Sequence, residues 1–121
     1  MPSAYSNVIL AESSLQSYWK LDEASGNAAD SKGSVTGVAA GTLSYSQSGA
    51  TRLGTSLGTS IKSNGTTPTA FDCGDNYRFS GTSSFTVEAW INRGTGGTLR
   101  LVAKSDEAAG QPGQQWRPGN Q

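Results

Sequence analysis

The segment that decides the fold class is FTVEAWIN at residues 85–92. Its odd-numbered positions are apolar and most of its even-numbered positions are polar, which is the period of two expected of a half-buried β-strand. The apolar face comprises Phe85, Val87, Ala89 and Ile91. Residues 93–98 (RGTGGT) follow as a hairpin loop, and residues 99–104 (LRLVAK) are the expected antiparallel partner. We therefore predict a hairpin whose apolar face belongs to the core.

Segments nearer the N-terminus show the same pattern in shorter form. Residues 17–22 (SYWKLD) alternate, with Trp19 and Leu21 on the face expected in the core. Weaker strands are predicted at 38–45 and 60–62, separated by a stretch rich in Gly, Ser and Thr at 46–59.

Local turn and helix signals complete this outline. Asn64-Gly65 is the strongest turn, because both residues tolerate positive φ, and it predicts a hairpin between residues 61–62 and 69–73. Helical signal is thin: one or two turns are predicted within 7–16, with Asn7 as the cap and Ser13-Ser14 as the break.

Short strands separated by turn residues, with almost no helix, predict an all-β fold, an antiparallel β-sandwich or jelly roll. We assign residues 1–107 to this domain. Residues 108–121, rich in Gly, Gln and Pro, are predicted to form an extended or mobile tail.

The composition excludes several functional classes. The chain of 121 residues has no His, which excludes a Ser-His-Asp or Cys-His mechanism and a His-ligated zinc. Its single cysteine, Cys73, excludes an intrachain disulfide and is best interpreted as a small buried hydrophobic residue. Nine basic residues balance nine acidic ones, which argues against nucleic acid as a partner. No apolar run is long enough to span a membrane.

Two blocks of sequence, in this order, resemble a known family. The first is residues 18–33, YWKLDEASGNAADSKG, and the second is residues 79–91, FSGTSSFTVEAWI, followed by LVAK at 101–104. Together they resemble the front half of a laminin-G-like domain of the concanavalin A-like lectin/glucanase superfamily. The resemblance covers about residues 5–106.

The resemblance implies a two-sheet antiparallel jelly roll that is not an enzyme and that binds carbohydrate or protein, often with a calcium ion. The family domain is usually longer, and its second half has no counterpart here. The chain is then a fragment of a longer polypeptide, a compact variant, or a fold whose missing strands come from a neighbouring subunit, since open strand edges can pair with another chain.

Candidate ligand-binding residues are the aromatic side chains outside the predicted core. Tyr77 and Trp116 lie in loop or tail segments, where an aromatic face could stack on a sugar ring or simply anchor the loop. Trp90 lies on the face of its strand opposite the core; it is either covered by a second layer, the favoured interpretation, or exposed as a platform for sugar stacking.

Carboxylates are candidates for metal ligands and for catalytic groups. Asp30, in a short polar turn, could ligate Ca²⁺, although capping of backbone N–H groups is the favoured role. The oxygen-rich loop at 72–76 lacks the spacing of an EF-hand. Glu88 and Asp22 suggest the carboxylate pair of a glycosidase, but the catalytic cluster of the related glucanases is missing, so we expect no enzyme activity. Asn64-Gly65-Thr66 forms a glycosylation sequon, which its turn explains better.

The expected function is that of a virion surface module, on a bacteriophage tail or capsid, that binds host glycans. The family acts outside cells, yet residues 1–11 lack the basic and apolar regions of a signal peptide, and virion proteins leave the cell by lysis. A structural decoration or assembly protein that contacts neighbouring virion subunits, or forms a homo-oligomer, is the alternative. A third interpretation is a fragment of an accessory carbohydrate-binding domain of a secreted glycoside hydrolase.

Overall fold

The structure, a computed structural model, describes residues 4–64, 69–79, 81–94 and 101–103. These residues belong to two compact units, of which the first ends at Trp90 and the second begins at Ile91. Every helix and strand of the described ranges lies in the first unit. The domain boundary predicted between residues 107 and 108 falls outside the described residues, as do the tail and most of the predicted strand 99–104.

One short helix, α1, spans Ala4–Leu10. It begins three residues before the predicted cap, so Asn7 is an interior residue, and it stops before Ser13-Ser14. Ser14 donates both its backbone N–H (3.0 Å) and its hydroxyl (2.8 Å) to Glu12 Oε1, a local alternative that competes with helical hydrogen bonds. Ser6 is buried, and its hydroxyl meets the Tyr18 hydroxyl at 3.4 Å, which holds the helix to the following segment.

Strands dominate the rest of the first unit, so the β-rich class is confirmed. They pair as three small antiparallel sheets, β1 with β6, β2 with β5, and β3 with β4. The strands are β1 Val38–Ala40, β2 Leu43–Ser48, β3 Thr51–Arg52, β4 Thr55–Ser56, β5 Thr59–Ser63 and β6 Ala70–Asp72. The strand predicted at 38–45 is divided at Gly41, whose φ is +77°.

The four strands β2 to β5 form one long hairpin. Ser48 pairs with Thr59 and Thr51 with Ser56, in one register. Between these pairs Gly49 N–H donates to Gly58 O at 3.1 Å. A Cβ on Gly49 would lie 2.4 Å from Gly58 O, so this close approach requires glycine.

The turn of this hairpin is Leu53-Gly54, with φ of +49° and +78°. Two consecutive residues with positive φ match a type I′ turn, which favours Asn-Gly or Asp-Gly. The stretch 46–59, expected to separate two strands, is therefore mostly strand. Leucine at the first turn position gave no hairpin signal.

The hairpin predicted at Asn64-Gly65 is wrong. β5 pairs with β2, and β6 pairs with β1, so the two flanking strands do not pair with each other. The long hairpin already occupies one edge of β5. The physical reason for the error is that a favourable turn fixes only the local direction of the chain, whereas strand partners depend on distant residues.

The predicted strand at 85–92 and its buried face are also wrong for the described residues. No strand forms there, and Val87 and Ile91 remain 56% and 54% exposed. A strand must share its backbone N–H and C=O groups with a neighbour, and no pair of strands among the described residues includes this segment. Phe85 instead stacks on Phe79, with ring centroids 4.3 Å apart.

The buried core of the described residues is correspondingly small. Ala28 is the one buried apolar residue among them, and it pairs with Gly37 through two backbone hydrogen bonds of 2.8 and 2.9 Å. Trp19 is half-buried and forms a single bridge with Asp30 rather than a strand. Leu21, predicted to lie in the core, is exposed and has a φ of +56°.

Candidate functional site

Asp30 is the centre of the polar structure that joins residues 17–35. Its Oδ1 accepts hydrogen bonds from the backbone N–H groups of Tyr18 (3.0 Å), Lys32 (3.0 Å) and Gly33 (2.9 Å). Its Oδ2 accepts from the Ser17 hydroxyl at 2.6 Å and from Val35 N–H at 3.2 Å. The Asp30 side chain therefore holds the turn at residues 30–35 against residues 17–18.

These donors determine the protonation of Asp30. Burial by itself would raise the pKa of the carboxyl, but the hydrogen bonds from Ser17, Tyr18, Gly33 and Lys32 outweigh it and hold the pKa well below its usual range. The carboxylate is thus charged in the folded protein over the whole physiological range of pH.

The surroundings of Asp30 do not fit a calcium ion. A carboxylate offers about four lone-pair sites, and here five protein donors already point at its two oxygens. Calcium needs 6–8 oxygen ligands, so its binding would break several of these hydrogen bonds. In the described part of the chain, no three acidic, Cys or His side chains form a group that could hold a metal ion. The geometry favours the capping role for Asp30.

Tyr77 joins the same cluster, as an anchor of its loop. Its hydroxyl hydrogen-bonds the Ser17 hydroxyl, which also donates to Asp30. Its ring meets Trp19 edge to face, with centroids 6.0 Å apart and an interplanar angle of 84°. Burial raises the pKa of the Tyr77 hydroxyl, the hydrogen bond with Ser17 opposes the rise, and the charge of Asp30 adds to it. This half-buried ring offers little free face for a sugar.

Cys73 lies near this cluster and is half-buried. Burial raises the pKa of its thiol, and the negative charges of Asp72 and Asp30 raise it further. The thiol is therefore protonated at neutral pH and a poor nucleophile. Trp116, the other predicted ligand-binding residue, lies outside the described residues.

Trp90 is a highly exposed aromatic residue, with 74% of its surface accessible, more than Phe79 at 48% or Phe85 at 38%. Its indole Nε1–H donates to the Tyr5 hydroxyl at 2.6 Å. The two rings stand at 69° with centroids 6.4 Å apart, so together they form an aromatic corner, the name used below for the Tyr5–Trp90 pair. The hydrogen bond gives the exposed indole one preferred orientation.

The aromatic corner opens onto a cleft of about 290 Å³ within the first unit. The tip half of the long hairpin forms its other wall, through Ala50, Thr51 and Leu57. Ligand pockets begin at about 300 Å³, so the cleft has room for a small ligand or one ring of a larger one. None of the five lining residues carries a charge.

One residue of this site, Trp90, can be singled out from the sequence. The alternation at 85–92 places Trp90 away from the core face, but the favoured expectation is that a second layer covers it. Tyr5 and the hairpin residues carried no signal, because their approach to Trp90 depends on contacts between residues far apart in the chain.

Neither protein-family models, nor curated proteins, nor solved structures match this chain. Inferences about function therefore depend on the geometry of the described residues. Within those residues, no helix has the length and apolar character to cross a membrane.

Proposed function

We propose that this protein is a non-catalytic carbohydrate-binding module of a virion surface, and that its aromatic corner contacts the sugar. The observation that carries the proposal is the exposure of Trp90 while its indole N–H is held by Tyr5. An exposed aromatic ring that is held in one orientation offers a flat apolar face on which a ligand can stack.

The chemistry of the corner suits a pyranose ring. The axial C–H groups of a sugar present an apolar face that packs on an indole, while its hydroxyls need donors and acceptors at the rim. The Tyr5 and Thr51 side chains place hydroxyl groups among the cleft-lining residues. The hydrogen bond from Trp90 Nε1–H to the Tyr5 hydroxyl already holds the indole in place. Little side-chain entropy of Trp90 is therefore lost when a sugar binds.

The wider assignment follows the resemblance to laminin-G-like domains, which implies a jelly roll. The antiparallel, β-rich character of the first unit supports this assignment. The virion location is part of the same proposal, because the family acts outside cells and virion proteins reach the exterior by lysis.

A glycan array probed with the intact chain and with Trp90→Ala tests the proposal. We expect binding to one group of host glycans, lost in Trp90→Ala, and unchanged when EDTA replaces Ca²⁺. Trp90→Ala should remain folded, because the side chain it removes is mostly in solvent. If the intact chain binds no glycan above background, the proposal is wrong.

A second function, assembly with neighbouring virion subunits, is favoured by a different observation. Each sheet in the described residues has two strands only, so strands such as β1 and β6 have an unpaired edge. Such edges are completed readily by a strand from another chain. Light scattering during size-exclusion chromatography tests this function: a closed oligomer would support it, and a stable monomer would count against it.

A further inference from the structure

The cleft beside the aromatic corner has no charged side chain among its lining residues. Those residues are Tyr5, Ala50, Thr51, Leu57 and Trp90. An anionic sugar, such as a uronic or sialic acid, would lose hydration of its carboxylate here without gaining an Arg or Lys partner from the cleft lining. The cleft lining therefore discriminates by charge against acidic sugars.

The Tyr5 hydroxyl has a defined polarity. Trp Nε1–H can only donate, so in the Trp90–Tyr5 hydrogen bond the tyrosine oxygen is the acceptor. The proton of the Tyr5 hydroxyl is left to donate to another oxygen. Hydrogen bonding to the indole thus prepares Tyr5 as a donor at the cleft, and a sugar hydroxyl or ring oxygen is the matching acceptor.

The angle between the rings sets how a sugar would lie. A pyranose stacked on Trp90 has its edge toward Tyr5, because the two planes stand at 69°. The volume of about 290 Å³ accommodates one such ring. A cation stacked on the indole is the competing ligand chemistry, but the lining offers no carboxylate to pair with it.

From these observations, and resting on the proposed function, we infer that the cleft selects a single neutral pyranose residue. Trp90 supplies the stacking face, the Tyr5 hydroxyl donates a hydrogen bond to the sugar, and no calcium ion takes part. The selectivity for a neutral sugar then has two sources. The uncharged lining disfavours acidic sugars, and the Tyr5 hydroxyl donates a hydrogen bond in a fixed direction.

Matched pairs of monosaccharides test this inference directly. The methyl glycosides of glucose and glucuronic acid, and of galactose and galacturonic acid, differ mainly by the charge at one carbon. Titration followed by the indole N–H signals in ¹⁵N NMR spectra, with Trp90→Phe used to assign the Trp90 signal, reports binding at this site. We expect a neutral sugar to shift the Trp90 signal and to bind at least fivefold more tightly than its acidic counterpart, with or without EDTA.

Tyr5→Phe tests the role of the hydroxyl. It keeps the ring and should weaken binding of the neutral sugar about five- to tenfold, the effect of one hydrogen bond. Tyr45→Phe is the matched control, because the Tyr45 hydroxyl donates to Gly26 O at 2.6 Å and Tyr45 is not a lining residue. Thr51→Val provides a second change in the cleft that preserves strand propensity, should Tyr5→Phe disturb α1.

The outcomes separate this inference from the proposed function. Tighter binding of an acidic sugar at Trp90 would overturn the selectivity and leave carbohydrate binding intact. Full affinity in Tyr5→Phe would overturn the role of the Tyr5 hydroxyl, and full affinity in Thr51→Val as well would show that neither hydroxyl of the cleft lining contacts the sugar. If no sugar shifts the Trp90 signal but glycans bind elsewhere, the cleft is not the site, and if no glycan binds at all, both proposals are wrong.

Discussion

Asp30→Asn replaces one carboxylate oxygen with an amide group while leaving the size of the side chain almost unchanged. In the better orientation the amide oxygen keeps the three backbone donors of Oδ1. The NH₂ group then faces the Ser17 hydroxyl and Val35 N–H, which donate to Oδ2 at 2.6 and 3.2 Å in the wild type. Each charge-assisted hydrogen bond contributes about 1.5–3 kcal/mol. The Ser17 hydroxyl can rotate to accept a hydrogen bond from the amide. We therefore expect Asp30→Asn to lower the free energy of unfolding by about 2–4 kcal/mol.

The same substitution should change how stability depends on pH. The folded protein holds the pKa of Asp30 below the value of the unfolded chain, so the unfolded chain takes up the proton first as the pH falls. The stabilisation is complete above the ordinary Asp pKa of about 4 and is lost as the pH falls below it toward the folded pKa. Asp30→Asn has no such proton to bind, so its stability should fall less steeply below pH 4.

Urea unfolding followed by Trp fluorescence, repeated between pH 2.5 and 7, measures both effects. Asp22→Asn is the matched control, because the Asp22 side chain is exposed and forms a surface ion pair with Lys20 at 3.6 Å. Loss of this ion pair should lower the free energy of unfolding by less than about 0.5 kcal/mol. Equal stability of Asp30→Asn and wild type at pH 7, or parallel pH profiles, would refute the role assigned to Asp30.

Three further substitutions test other parts of the structure. Gly37→Ala would place a Cβ 3.1 Å from Phe71 Cβ and 3.3 Å from Ala28 Cβ, so thermal unfolding should show a loss of about 1–2 kcal/mol; unchanged stability would contradict this packing. Leu53→Asn should raise stability by about 0.5–1 kcal/mol, because Leu53 is 97% exposed with a φ of +49° that Asn adopts more readily; a lower melting temperature would argue against the Leu53-Gly54 turn. Trp90→Ala should change stability by less than about 1 kcal/mol while abolishing glycan binding, and a large loss measured by circular dichroism would show that Trp90 is structural.

Local chemistry explains which features could be predicted from the sequence. The strand periods near 38–45 and 60–62 identified β1, β2 and β5, and the turn around Asp30 was assigned its capping role. Strand partners could not be predicted, because the strongest turn signal, Asn64-Gly65, competes with a hairpin whose turn begins with leucine.

The aromatic corner could be predicted only in part, because it too depends on contacts between residues far apart in the sequence. Alternation placed Trp90 opposite the expected core face, but exposure depends on whether a second layer covers it, which periodicity does not encode. Tyr77 was an equally reasonable candidate from its position in a loop. Only the Ser17 and Trp19 contacts of Tyr77 distinguish a loop anchor from a free sugar platform.

The strand pairs of the first unit are nested one inside another, and this order has a consequence for folding. Thr51–Ser56 lies within Leu43–Ser63, which lies within Val38–Asp72. Once the hairpin has zipped outward from Leu53-Gly54, β1 and β6 are separated from it only by residues 41–42 and 64–69. Each closure therefore leaves a short loop for the next one, and the entropy cost of each step stays low. The strand pairs of the first unit can therefore form one after another, outward from a single turn, without the closure of a long loop at any step.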